Sequence, residues 1–117
     1  MSWTIDYYET ENGKFPVKDF IDGLNPKAKY KIIYAFDLLE EFGINVKPPK
    51  VEKLEGTPLW EIRIVGKDNI RIFYVTKSER SFLLLHGFVK KKQKTDKKEI
   101  KIAMERLEDY QRRIKVG

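Results

Sequence analysis

The sequence predicts a small α+β domain: an N-terminal strand and a three-strand meander in an antiparallel-rich sheet, packed against two N-terminal helices, with a further helix at the C-terminal end. Three observations predict it. The opening residues alternate with the period of a strand, residues 15–43 carry two apolar stripes of helical period, and residues 59–89 hold three apolar runs separated by polar turns. The length of 117 residues fits one domain spanning 1–117, large enough to bury roughly two-thirds of the surface that its unfolded chain would expose.

Each element follows from local pattern. In SWTIDYYE, Trp3, Ile5 and Tyr7 alternate with Thr4, Asp6 and Tyr8, and ENGK then turns the chain. Phe15-Pro16 opens a short helix with Val17, Phe20, Ile21 and Leu24 on one face, Pro16 standing where the first turn tolerates it. Asn25 caps a longer helix whose stripe is Ala28, Ile32, Ala35, Leu39 and Phe42, and Gly43 ends it with a positive φ. The stretch from Asn45 to Pro58 reads as a connector, because Pro48-Pro49 blocks helix and central strand alike. LWEIRIV, IRIFYVT and SFLLLHGFV then form the meander. From Asp96 onward Ile100, Ala103, Leu107, Tyr110 and Ile114 share a helical face, with Thr95 as the expected N-cap.

Composition narrows the function classes. With no cysteine and one histidine, disulfide frameworks, cysteine nucleophiles and zinc sites are excluded. No apolar run approaches the roughly 20 residues that span a bilayer, and the N-terminal residues lack the features of a signal peptide, so a reducing cytoplasm without membrane attachment is expected. Charge is unevenly spread. Residues 1–45 carry five Lys/Arg against eight Asp/Glu and residues 46–117 nineteen against ten, so the net +6 joins a −3 part to a +9 part. A basic half of this kind favours nucleic acid or another polyanion as partner. There is no P-loop, no GxGxxG, no acidic metal-binding cluster and no Ser/His/Asp arrangement, and the chemistry must rest mainly on positive charge.

Strand parity asks whether the basic residues converge. Trp60, Ile62 and Ile64 point towards the helices and leave Glu61 and Arg63 on the opposite face. Ile70, Ile72 and Tyr74 are the matching set of the next strand, which places Arg71 with Arg63. A three-residue loop at Lys67-Asp68-Asn69 sets Arg63 opposite Phe73, and a turn centred on Ser78-Glu79 sets Val75 opposite Phe82 and Arg71 opposite His86. One face then gathers Arg63, Arg71, His86 and Lys90 with Phe73 and Phe88. A slip of one residue would scatter them.

Each candidate has a plainer reading. Lys91, Lys92 and Lys94 fit a solvated loop, but Lys97 and Lys98 fall in the first helical turn, where a cation opposes the helix dipole by about 0.3–1 kcal/mol each. A helix start ringed by Lys90, Lys91, Lys92, Lys94, Lys97 and Lys98 suits an anion, phosphate first. Arg63 and Arg71 fit surface arginines matched to Glu61 or Asp68, yet two guanidinium forks in adjacent strands suit bidentate contact with phosphate. A lone histidine such as His86 is commonly structural, and its interest lies in the pairing with Arg71.

LEGTPLWEIRI, NIRIFYV and LLLHGFVKKKQKTDKKEIKIAMERLEDY together resemble the HigB-type branch of the RelE/ParE toxin superfamily, including its phage-derived relatives. The resemblance is close over about residues 50–110. It rests on Leu59-Trp60-Glu61-Ile62-Arg63, on Arg71 at the start of the next strand, and on His86-Gly87-Phe88 followed by Lys90-Lys91 and Lys94-Thr95. It implies a type II toxin that cleaves mRNA on the ribosome without a cofactor, held inactive by a cognate antitoxin, a helix-turn-helix protein of HigA type. Arg63, Arg71 and Lys90 match basic catalytic positions of RelE-like members, whereas Glu61 stands where RelE itself has a lysine and that toxin's catalytic tyrosine has no aligned counterpart.

On that reading Arg63 and Arg71 clamp the scissile phosphate, Lys90 protonates the leaving 5′ oxygen or shares the clamp, and His86 or Glu61 takes the 2′-OH proton. Lys91, Lys92, Lys94, Lys97 and Lys98 hold flanking phosphates. Two other classes share parts of the pattern: a ParE-like toxin that poisons gyrase by binding, and a non-enzymatic RNA-binding module.

Overall fold

The computed structural model describes residues 2–45, 50–77 and 80–116. Along the chain run β1 (Thr4–Tyr7), α1 (Pro16–Asp22), α2 (Pro26–Phe42), a 3-10 turn (Gly43–Asn45), β2 (Lys50–Lys53), β3 (Trp60–Ile64), β4 (Ile70–Lys77), β5 (Ser81–Val89) and α3 (Lys97–Val116). The five strands make one sheet in the order β1-β5-β4-β3-β2. β1 runs parallel to β5 and the other neighbours are antiparallel.

The α+β class and the expected helices are present, and one strand exceeds the expectation. β2 lies inside the stretch read as a connector. Pro48-Pro49 falls outside the described residues, but the strand that starts at Lys50 is an edge strand, where a preceding proline costs no ladder hydrogen bond. Val51 packs on the core, so Lys50 and Glu52 point to the other face.

The central strands of the sheet are covered on both sides. Val17 and Ile21 of α1 and Ala28, Ile32, Ala35 and Leu39 of α2 pack on Ile62, Ile72 and Leu84. On the reverse face Ala103 and Leu107 of α3 pack on Leu59, Phe73, Leu83, Leu85 and Phe88. Each such Val, Leu, Ile or Phe side chain, fully removed from water, contributes roughly 1.5–3 kcal/mol. Tyr8 joins the second layer and donates its hydroxyl to Asp109 Oδ2 at 2.6 Å, tying β1's exit to α3. Phe42 and Ile114, expected at the ends of their apolar stripes, are exposed instead. Asn25 does cap α2, its side chain accepting from Ala28 N. For α3 the cap is Asp96, not Thr95: Asp96 Oδ1 accepts from Lys98 N at 2.9 Å.

Register departs from expectation at both hairpins, with opposite consequences for the face. β3 and β4 pair Ile64 with Ile70, leaving residues 65–69 as the loop, so Arg63 faces Arg71 and Glu61 faces Phe73. The shift from the expected Arg63–Phe73 pair is two residues, which preserves parity. At the second hairpin Ser78-Glu79 falls outside the described residues, while Arg80 adopts a φ of +60° and Lys77 pairs with Ser81. Val75 therefore faces Leu83 instead of Phe82, a slip of one. A bulge then restores the parity: Tyr74 pairs with Leu84 but Phe73 with His86, so Leu85 is the unpaired extra residue. Beyond it Arg71 faces Phe88, not His86. Gly87 is turned to the α1 side, where a Cβ would meet Phe20 Cδ2 at 2.6 Å.

Candidate functional site

Two rows of side chains cross the sheet on the α3 face. One runs Lys50, Arg63, Arg71, Phe88; its neighbour runs Glu52, Glu61, Phe73, His86. Like charges set directly opposite repel, and the second row supplies the compensation. Arg63 Nε donates to Glu61 Oε1 at 2.9 Å and its Nη2 reaches Glu52 Oε2 at 2.5 Å. Arg71 Nε lies 3.6 Å from the same Glu61 oxygen, too long for a hydrogen bond, and Arg71 Nη1 meets Ile70 O at 3.4 Å. Glu61 Oε2 and Arg71 Nε are buried without a hydrogen-bond partner. The pair of arginines thus carries an internal carboxylate, and Arg71 keeps donor capacity that no protein atom uses fully.

His86 sits at the other end of the second row. Its ring stacks on Phe88 with centroids 5.3 Å apart, tilts against Phe73 at 6.5 Å, and lies between two residues of α3. Nε2 is 3.0 Å from Glu99 Oε1, and Nδ1 is 3.3 Å from Arg106 Nη1, which also donates to Leu85 O at 2.8 Å. Burial pushes the imidazole below its ordinary pKa; the Glu99 hydrogen bond opposes this and the Arg106 charge adds to it. Burial thus favours the neutral form of the ring.

Beside His86 and Phe88, a cleft of about 170 Å³ is lined by Phe88, Val89, Lys90, Lys91, Lys92, Lys94, Asp96 and Glu99. Its cationic wall and buried aromatic floor suit a phosphodiester with an adjoining base. Lys90 is half-buried and its backbone N–H donates to Asn69 O at 2.7 Å, while Lys91, Lys92 and Lys94 are exposed. Lys97 and Lys98, expected around the same helix start, are exposed on α3 and do not line the cleft.

The expected residues thus form a row of two arginines and a lysine-lined cleft, joined through Phe88 and His86. Sequence reasoning passed over Lys50 and Glu52, hidden with β2, and Glu99 and Arg106, which meet His86 only through the packing of α3. One local signal pointed to Glu99. Asp96-Lys97-Lys98-Glu99 has capping-box spacing, and the glutamate at its third helical position reaches His86.

No individually curated protein matches the sequence. A family model described as Phage derived protein Gp49-like (DUF891) matches residues 19–108, a span that includes both rows, the cleft, Glu99 and Arg106. The chain therefore belongs to the phage-derived Gp49-like family, a toxin-type family within the RelE/HigB-like superfamily.

Proposed function

We propose that this protein is a ribosome-dependent mRNA endoribonuclease, the toxin of a type II toxin–antitoxin pair. The observation that carries the reading is the row Arg63–Arg71–Phe88 leading into the Lys90 cleft, on a chain of a toxin-type family. Two guanidinium groups on neighbouring strands bind the non-bridging oxygens of the scissile phosphate and stabilise its added charge in the transition state. The ribose O2′ attacks phosphorus and the P–O5′ bond breaks, leaving a 2′,3′-cyclic phosphate and a 5′-hydroxyl. Lys90 gives the proton to O5′, and His86 is the group that takes the proton from O2′. Phosphate displaces the exposed Glu52 carboxylate from Arg63, while Glu61 stays as the buried counter-ion. Lys91, Lys92, Lys94, Lys97 and Lys98 hold flanking phosphates, and a helix-turn-helix antitoxin silences the toxin in the cell.

The test is induction in bacteria with mapping of mRNA 5′ ends for wild type, Arg71→Ala and Lys90→Ala. Wild type is expected to arrest growth and produce new in-frame ends, with loss of one phosphate donor costing about 10²–10³ in rate. Arrest without new ends would overturn the nuclease reading and fit a gyrase poison; RNA binding without arrest would fit a non-enzymatic module.

A further inference from the structure

We infer that Glu99 and Arg106 of α3 are positioning residues for His86, clamping the imidazole as its Nε2–H tautomer between a carboxylate and a guanidinium. Arginine has only N–H donors, so the ring nitrogen facing Arg106 Nη1 at 3.3 Å must present a lone pair. The proton of the neutral ring is then on Nε2, directed at Glu99 Oε1 at 3.0 Å. Turning the ring over would place carbon at both contacts while keeping the stack on Phe88, so the two α3 side chains, and not the stack, select the orientation.

Both partners are committed to the ring by other features. Arg106 Nη1 is also held by Leu85 O at 2.8 Å, the carbonyl of the bulge residue, so it stays in place whether or not the ring is protonated. Glu99 reaches His86 from the first turn of α3, just after the Asp96 cap. Among the described residues, the groups facing the imidazole are then Glu99 and Arg106 on α3, Phe73 on β4 and Phe88 on β5, with Glu61 and Arg71 beyond Phe73; α1 lies on the reverse of the sheet against Gly87. One carboxylate favours the protonated ring and one guanidinium opposes it.

The positioning role rests on the nuclease reading; the clamp does not. In the cleavage step the O2′ proton enters Nδ1 as O2′ bonds to phosphorus and O5′ departs with the Lys90 proton. Arg106 gives up Nδ1 and keeps Leu85 O, and the imidazolium retains its Nε2–H bond to Glu99. Solvent then restores both protonation states.

Because the chain has a single histidine, NMR of the 15N-labelled full chain reads this ring without assignment. Wild type is expected to show the Nε2–H tautomer. Glu99→Gln should lower the titration midpoint and Arg106→Gln should raise it, each by about half a pH unit or more. Gln at 106 keeps a donor for Leu85 O, and Arg106→Lys, which restores the charge, should return the midpoint towards wild type; should Arg106→Gln not fold, Arg106→Lys and Glu99→Gln carry the comparison. In ribosome-dependent cleavage the acidic limb of the pH profile should move with the midpoint in each variant. An Nδ1–H tautomer, or midpoints unmoved by the substitutions, would overturn the clamp. Shifted midpoints with an unmoved cleavage profile would overturn the positioning role. A wild type that cleaves nothing would remove the nuclease reading and with it the positioning role, while the NMR result still decides the clamp.

Discussion

Replacing Glu61 by alanine should be far more damaging than the loss of the other carboxylate in its row, Glu52. The Glu61 side chain is 4 % exposed and its Oε1 serves two guanidinium groups. The two would fare differently after its loss. Arg63 is 27 % exposed and keeps Glu52, so its share is that of a surface pair, about 0–1 kcal/mol. Arg71 is 12 % exposed, keeps only a 3.4 Å contact to Ile70 O, and becomes an uncompensated buried cation facing Arg63, which costs about 3–5 kcal/mol. The expected total is about 3–6 kcal/mol, against marginal stabilities of about 5–15 kcal/mol for domains in general. Glu61→Gln keeps an acceptor for Arg63 and should cost less, and Glu52→Gln, at a carboxylate 47 % exposed, should cost under about 1 kcal/mol. Urea unfolding of the three variants at pH 7 and low salt gives the ranking directly, provided the m-value is unchanged. A Glu61→Ala midpoint no lower than that of Glu52→Gln would refute the argument, because Arg71 would then be compensated by something other than Glu61.

Other expectations are narrower. Gly87→Ala should cost about 1–3 kcal/mol by overpacking, since the new Cβ would lie 2.6 Å from Phe20 Cδ2; unchanged thermal unfolding would mean that α1 sits further from β5. Folded His86 has a depressed pKa, so the unfolded chain binds more protons just below the ordinary value of 6.5. Stability is therefore full above about pH 6.5 and should fall as pH drops towards the folded value, a slope that His86→Gln should remove from urea midpoints taken across this range. Replacing Lys91, Lys92 and Lys94 together by alanine should reduce the salt slope of single-stranded RNA binding by about 2, at about 0.7 per phosphate contact; an unchanged slope would place the phosphates elsewhere.

Short-range pattern was legible and long-range pairing was not. Trp60, Ile62 and Ile64 announce which way β3 faces because parity needs only neighbours, and the same logic put Arg63 and Arg71 on one face. Exact partners depend on loop geometry. The wide loop at residues 65–69 moved Arg63 from Phe73 to Arg71, and the left-handed Arg80 added a residue to the next turn. β2 was masked because a proline pair suppresses the signal of a central strand but is harmless before an edge strand. Glu61 was legible in sequence as a match for Arg63 and a candidate proton acceptor, but not as a buried carboxylate shared by two arginines, which depends on the register that sets Arg63 opposite Arg71. The links from Glu99 and Arg106 to His86 span 13 and 20 residues and obey no period, so only the packing of α3 discloses them.

The extra residue at Leu85 also determines which insertions and deletions this chain can survive. Upstream of it, Leu83 looks towards α3; downstream, His86 and Phe88 do, so the strand carries two frames joined at one position. Removing Leu85 would run Leu83, Leu84, His86, Gly87 and Phe88 in one unbroken alternation, so both halves of β5 would keep the faces they have now. What would be lost is one buried side chain of the α3 layer and the carbonyl that holds Arg106. A deletion of one residue here thus costs packing and an anchor but not the frame of the strand, and the loop at residues 65–69, which lies outside the ladder, can likewise change length without touching the face that bears the arginines.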